Sequence, residues 1–119
     1  MALTYLNLHN CTSATGDLSD LTGMALTSLD LYNCSLVTYA AGCLSGCTAT
    51  TNIYLYNLGW DVASVNAALV ERDGAAPAPT GGIFQIHGTN AAPTNGPPDG
   101  LAAAASLISA GVSVNYTGM

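Results

Sequence analysis

The sequence predicts an α/β solenoid, a coil of about five short parallel strands with two short helices on its convex side. Three observations point there. Two nine-residue runs, LTYLNLHNC at residues 3–11 and LTSLDLYNC at residues 26–34, are near copies of one another. An alternating apolar pair returns in three later segments. Between those later segments, two stretches change from a two-residue to a helical period.

Both early runs fit L-x-x-L-x-L-x-x-C. The offset from Leu3 to Leu26 is 23 residues, within the range of about 20–29 for solenoid repeats of this kind. A third copy, TTNIYLYNL, starts at Thr50 with Ile53, Leu55 and Leu58 in the apolar slots. A fourth, GGIFQIHGT, starts at Gly81 with Phe84 and Ile86 inside. A fifth, SAGVSVNYT, starts at Ser109 with Val112 and Val114 inside. Residues two apart in a strand point to the same side, so Leu6 and Leu8 are expected inward and Asn7 outward. One such pair cannot make a core alone, and stacking the copies buries all of them together. The ninth slot lies where the chain turns. A side chain there that satisfies buried backbone groups is favoured, which suits Cys11, Cys34, Thr89 and Thr117. Cys11 and Cys34 are expected there as buried thiols rather than as a disulfide.

The connecting segments supply the other side. Leu18 and Leu21 read as inward anchors of an irregular stretch, and Leu36, Tyr39, Ala40 and Leu44 as anchors of the next. DVASVNAALVERDG reads as a helix with Asp61 as N-cap, Val62, Val65 and Leu69 on one face, and Gly74 as its stop. DGLAAAASLISAG reads likewise, with Asp99 as cap, Leu101, Ala105 and Ile108 inward and Gly111 at the end. The Pro/Gly-rich pieces 74–82 and 91–100 read as loops, so 1–119 is one domain.

In these repeats the chain resembles the leucine-rich-repeat superfamily, which implies a right-handed coil with a concave strand face that binds. GGIFQIHGTNAAPT and GVSVNYT are also similar to terminal repeats in short modules of phage virion and bacterial surface proteins. That second likeness is one of composition and repeat style.

Composition narrows the function. The 119 residues include one basic side chain, Arg72, against seven acidic ones, for a net charge of −6. Nucleic-acid binding needs clustered Lys or Arg to neutralise phosphates, so it is excluded as an expectation, as is attraction to an anionic membrane surface. No apolar run is long enough to insert into a bilayer. Charged residues make up 7%, against about 25% in ordinary soluble domains. So neutral a surface suits a protein packed in an assembly. The first residues show no signal peptide, and the repeats run close to both ends without capping segments. Both points favour a chain made in the cytoplasm whose ends are covered by partner subunits or by more repeats of a longer protein.

The outward residues form rows. Between the apolar pair lie Asn7, Asp30, Tyr54, Gln85 and Ser113. After the pair lie His9, Tyr32, Tyr56, His87 and Asn115, and next come Asn10, Asn33, Asn57, Gly88 and Tyr116. His9, Tyr32, Tyr56 and His87 should stand side by side. Two readings stand together: a recognition strip for a protein or a cell-surface glycan, with Asn7, Asp30, Tyr54 and Gln85 beside it, or an aromatic ladder that stabilises the sheet. Enzyme and metal signals are weak. G-x-S-x-G, H-E-x-x-H and phosphate-cradling glycine loops are missing, Cys43 and Cys47 lack a second ligand pair, and Asp17 with Asp20 is too sparse for calcium. Cys43 and Cys47 are expected as two thiols in a turn of the coil, with a disulfide between them as the alternative in an oxidising setting. The expectation is a non-enzymatic module without cofactor or metal. It would be a virion component such as a capsid decoration or tail protein, packed against other subunits or against further copies of itself. The alternative is an extracellular or cell-surface adhesion module.

Overall fold

The computed structural model describes residues 4–21, 26–44, 51–75 and 78–119, apart from the side chains of residues 20 and 21. In chain order these hold β1 (Tyr5–Asn7), β2 (Gly16–Asp17), a 3-10 turn (Leu18–Leu21), β3 (Ser28–Asp30) and β4 (Val37–Thr38). They continue with β5 (Asn52–Tyr54), α1 (Val62–Asp73), β6 (Ile83–Ile86), α2 (Gly100–Ser109) and β7 (Ser113–Tyr116). The main sheet is parallel throughout, in the order β1-β3-β5-β6-β7. The stretch expected to be irregular after β1 instead holds β2, which pairs in parallel with β4 in a second, two-stranded sheet. The whole is a compact α/β fold with a radius of gyration of 12.8 Å.

Alternation does what the pattern requires. Leu6, Leu29, Ile53, Phe84 and Val114 are register partners, and Leu29, Ile53 and Phe84 are at most 1% exposed. Two residues on, Leu31, Leu55 and Ile86 are at most 2% exposed, whereas Leu8 at the sheet edge is 38% exposed. The fifth copy sits two residues later than its spacing suggests. Val114, not Val112, pairs with Phe84, and Tyr116, not Val114, pairs with Ile86. Ser109 is the last residue of α2, and Val112 is still part of the helix exit, its N–H donating to Leu107 O at 3.0 Å. The outward rows therefore end on Asn115, Thr117 and Gly118, not on Ser113, Asn115 and Tyr116.

Three ladders hold this register. Before the strands, Thr27 gives its N–H (2.6 Å) and hydroxyl (3.0 Å) to Thr4 O, and Thr51 gives the same groups to Thr27 O at 3.0 and 3.1 Å. At the next rung a Cβ on Gly82 would come within 2.0 Å of Thr51 O, so only glycine fits. After the strands, Asn10, Asn33 and Asn57 all have positive φ (62°, 65° and 60°), and Gly88 and Gly118 follow at 78° and 89°. Asparagine and glycine are the residues that tolerate this left-handed conformation. The Asn side chains join up: Asn33 Nδ2 donates to Asn10 Oδ1 (2.6 Å) and Asn57 Nδ2 to Asn33 Oδ1 (2.8 Å). Third, Asn90 is 2% exposed and serves four backbone groups. It accepts from Leu58 N (3.1 Å) and Trp60 N (3.0 Å) and donates to Leu55 O (2.8 Å) and Ile86 O (3.2 Å). The satisfying role expected of Thr89 is shared with its neighbour: Thr89 is exposed and its hydroxyl accepts from Gly59 N at 3.2 Å, while Asn90 serves the buried groups.

The ninth slot also corrects the thiols. Cys34 is buried, with Sγ donating to Leu8 O at 2.9 Å, but Cys11 is exposed because, among the described residues, no strand lies outside β1 to cover it. Cys43 is buried, while Cys47, and with it the disulfide alternative, lies outside the described residues, as does Leu3.

The helices start and stop largely where expected. Asp61 accepts from Ser64 N at 2.8 Å and Asp99 from Ala102 N at 2.9 Å, and Gly74 caps α1. Ala110, not Gly111, is the C-cap of α2. Their inward faces differ in part from the expected ones. α1 buries Val65, Ala68 and Leu69, while Val62 is 40% exposed. α2 buries Gly100, Ala103, Ala104 and Leu107, leaving Leu101 half-buried and Ala105 and Ile108 exposed. The reason is its neighbour. α2 packs against α1 so closely that a Cβ on Gly100 would lie 2.2 Å from Asn66 Oδ1, so the small residues must face inward. Asn66 in turn clamps the preceding loop, donating to Thr94 Oγ1 (2.9 Å) and accepting from Thr94 N (3.0 Å). Leu36 is 51% exposed and Val37 takes its anchoring place, while Leu18 and Leu44 are buried as expected. Trp60, beside Tyr39, donates Nε1 to Val37 O at 2.9 Å and so ties β4 to the core.

Asn90→Ala strands two N–H and two C=O groups in the core. It should cost at least about 3 kcal/mol in urea unfolding, with exposed Asn115→Ala within about 0.5 kcal/mol of the parent.

Candidate interaction face

The face of the sheet opposite the core carries all eight residues singled out from the sequence. Parallel pairing in register makes this automatic: Asn7, Asp30, Tyr54 and Gln85 are consecutive partners, and Asn115 completes their row. Two residues further along each strand come His9, Tyr32, Tyr56 and His87. Their rings form one continuous stack. Centroids are 4.8, 4.6 and 4.6 Å apart, and planes lie within 1°, 4° and 7° of parallel. These separations match the roughly 4.8 Å spacing of paired strands, so each rung contributes one ring and no backbone adjustment is needed. The row then ends, because Thr117 occupies the fifth rung and donates its hydroxyl to Gly88 O at 3.3 Å.

Stacking decides what this face can offer. Both faces of Tyr32 and Tyr56 are covered by neighbouring rings, as is one face each of His9 and His87. What remains is a row of ring edges and the outer faces of the two terminal imidazoles. Offset aromatic contacts are worth about 0.5–1.5 kcal/mol each, so the stack also stabilises the sheet. The ladder reading is therefore realised, whatever else the strip does.

Asp30 departs from its expected role as an outward contact. It is 9% exposed, between its register partners Asn7 and Tyr54. Its Oδ2 lies 3.8 Å from His9 Nδ1, and its Oδ1 has no hydrogen-bond partner. Burial raises its carboxyl above the ordinary value of 3.8, opposed by the Tyr32 N–H and by His9. Burial also raises the Tyr56 phenol, helped by Tyr32, Asp30 and Tyr54. One rung away, Asn7 Oδ1 accepts from His9 N at 3.1 Å, a turn-closing bond made without a charge. At the other end of the stack, His87 Nε2 and Gln85 Oε1 are 3.4 Å apart.

Sequence reasoning set Asn115 one row too far along and Thr117 in the turn slot, whereas Asn115 pairs with Gln85 and Thr117 follows His87 in its row. The left-handed row could have set both right, since Gly118 follows Gly88 in it and places the fifth copy correctly. For chemistry the face has little. The Cys34 thiol is buried and raised by that burial, away from the surface. Among the described residues, no group of three or more His, Cys, Asp and Glu side chains could hold a metal ion, and no helix is long and apolar enough to cross a membrane.

No protein-family model matches the chain, no curated protein matches it, and no solved structure matches its fold.

The Asp30 carboxyl holds its proton more tightly in the folded chain than in the unfolded one. Its ionisation therefore removes stability as pH rises from 3.8 through the raised value, and the loss is complete above it. Asp30→Asn keeps the acceptor that Asn7 uses in the same place and removes the buried charge. Thermal unfolding should show parent and variant alike below pH 3.8 and the variant the more stable at neutral pH.

Proposed function

We propose that the chain is a non-catalytic module of leucine-rich-repeat type. In this reading it is a right-handed solenoid whose strands line a concave face and whose helices lie on the convex side. It packs against other protein subunits as a virion component, such as a capsid decoration or tail protein.

The ring stack carries the reading. A binding strip for sugars needs free aromatic faces, and the stack covers both faces of Tyr32 and Tyr56. A row of ring edges at strand spacing, flanked by Asn7, Tyr54, Gln85 and Asn115, instead suits an extended protein surface that offers polar groups at similar intervals. The charge distribution supports packing among subunits. Arg72, the one basic residue, is 3% exposed, so no cation of the described residues reaches the surface freely. A neutral and mildly acidic surface solubilises weakly and packs without charge desolvation.

Mass spectrometry of density-purified particles from the culture that makes this chain should find it in fixed ratio to the coat protein. Tyr54→Lys, which sets a charge in the middle of the face, should lower its retention in particles at least tenfold while the variant stays folded. Finding the chain in the secreted or cell-surface fraction, with glycan binding on an array, would instead establish the adhesion alternative.

A further inference from the structure

The sheet ends in β1 and β7, and among the described residues nothing pairs with their outer edges. The internal rungs show what each edge lacks. At the start of each strand, its first residue or the one before it donates to the carbonyl just ahead of the neighbouring strand: Thr27 to Thr4, Thr51 to Thr27, Ile83 to Thr51 and Ser113 to Gly82. Just past the strands the direction reverses. Leu8, Leu31 and Leu55 donate to Asp30, Tyr54 and Gln85, and Asn10, Asn33 and Asn57 donate to Tyr32, Tyr56 and His87.

Continued by one step, the series leaves complementary halves at the two ends. The β1 edge has donors in the Thr4 N–H and hydroxyl and in Asn10 Nδ2, and acceptors in the Asn7 and His9 carbonyls. The β7 edge has an acceptor in Val112 O, the register equivalent of Gly82 O, and donors in the Tyr116 and Gly118 N–H groups.

The surroundings of the edges agree. Leu8 and Tyr5 are 38% and 53% exposed, and an apolar pocket of about 180 Å³ opens at the same end between Leu6, Leu8, Ala14, Leu18, Leu31 and Val37. At the other end, residues 100–119 hold no charged side chain at all, and Ile108 (43%) and Met119 (63%) are exposed. In a chain of net charge −6, no charged side chain of residues 100–119 in a second copy would oppose Asp17, which lines the pocket. Natural sheets block their edges with charges, prolines or bulges. Tyr5–Asn7 and Ser113–Tyr116 have neither charge nor proline.

We propose that a second copy of this chain docks head to tail, its β7 edge adding to β1 and continuing the parallel sheet in register. Thr4 then donates to the second copy's Val112 carbonyl, and the second copy's Tyr116 and Gly118 N–H groups donate to Asn7 and His9. The two surfaces differ, so the contact is heterologous and builds a ring or a filament. The inference rests on the assembly reading above and names its partner.

Analytical ultracentrifugation of the full chain over two decades of concentration tests it, with Tyr5→Lys blocking one edge and Asn115→Lys the other. The parent should associate with rising concentration, and each variant alone should stay monomeric, at least tenfold weaker. An equal mixture should form dimers, because each variant keeps the edge the other has lost. Far-UV circular dichroism checks that both fold. Should Tyr5→Lys unfold, Thr4→Val takes its place, with association about fivefold weaker for one lost hydrogen bond. A parent monomeric throughout overturns the proposal, and so does association that survives Asn115→Lys and fails only with Tyr5→Lys, which would mean symmetric β1 pairing. A monomeric chain still found in particles would overturn head-to-tail docking and leave the assembly reading standing. A self-associating chain absent from particles would do the reverse.

Discussion

Each strand of the main sheet passes its backbone hydrogen bonds to the next in register, and the left-handed residue just after it holds that register in place. Asn10, Asn33, Asn57, Gly88 and Gly118 all turn the chain in the same way at the same rung position. A slip of one residue would move every inward side chain to the solvent face. It would also force a residue with an unfavourable Cβ into the left-handed turn. The Thr and Asn side-chain ladders add hydrogen bonds available only when rungs stack in register. The ring stack, the continuous apolar rows and the exposed edge groups all follow from that one geometric condition.

The ladders change character halfway across the sheet, where helices replace short connections. Thr gives way to Gly82 and Asn to Gly88, and in both places a Cβ would collide with the preceding rung, with Thr51 O in one case and Asn57 Oδ1 in the other. Asn90 takes over the work of satisfying backbone there, bridging the β5 and β6 rungs through four hydrogen bonds. On the far side, Glu71 of α1 does a related job, accepting from the backbone of Gly42 and Leu44. Burial, together with a hydrogen bond to Glu71, raises the Tyr39 phenol far above its usual range. Polar side chains in this protein serve the backbone more than they serve each other, which fits a chain so poor in charge.

Much of this was legible residue by residue. The alternation in LNL, LDL, IYL and FQI names the inward side chains of β1, β3, β5 and β6, because strand direction alone decides them. The equal spacing of His9, Tyr32, Tyr56 and His87 from those pairs is enough to align their rings. Asp61 and Asp99 announce their helices because a cap bonds within three residues of itself. The fifth strand was misplaced for a specific reason. Val112 and Val114 alternate as well as Val114 and Tyr116 do, and the apolar alternation alone cannot tell which pair meets Phe84 and Ile86; only the glycine two residues past each pair can.

Local sequence, then, determined the strands, the caps, the left-handed turns and the rows of the candidate face, since each depends on interactions within a few residues or on a repeat that copies them. Tertiary structure alone decided how deeply Asp30 is buried, why Cys34 is covered and Cys11 is not, and which face of α2 turns inward. Those outcomes depend on what lies across the next rung or helix. A side chain's environment is set by neighbours distant in sequence, and no pattern internal to its own repeat contains them.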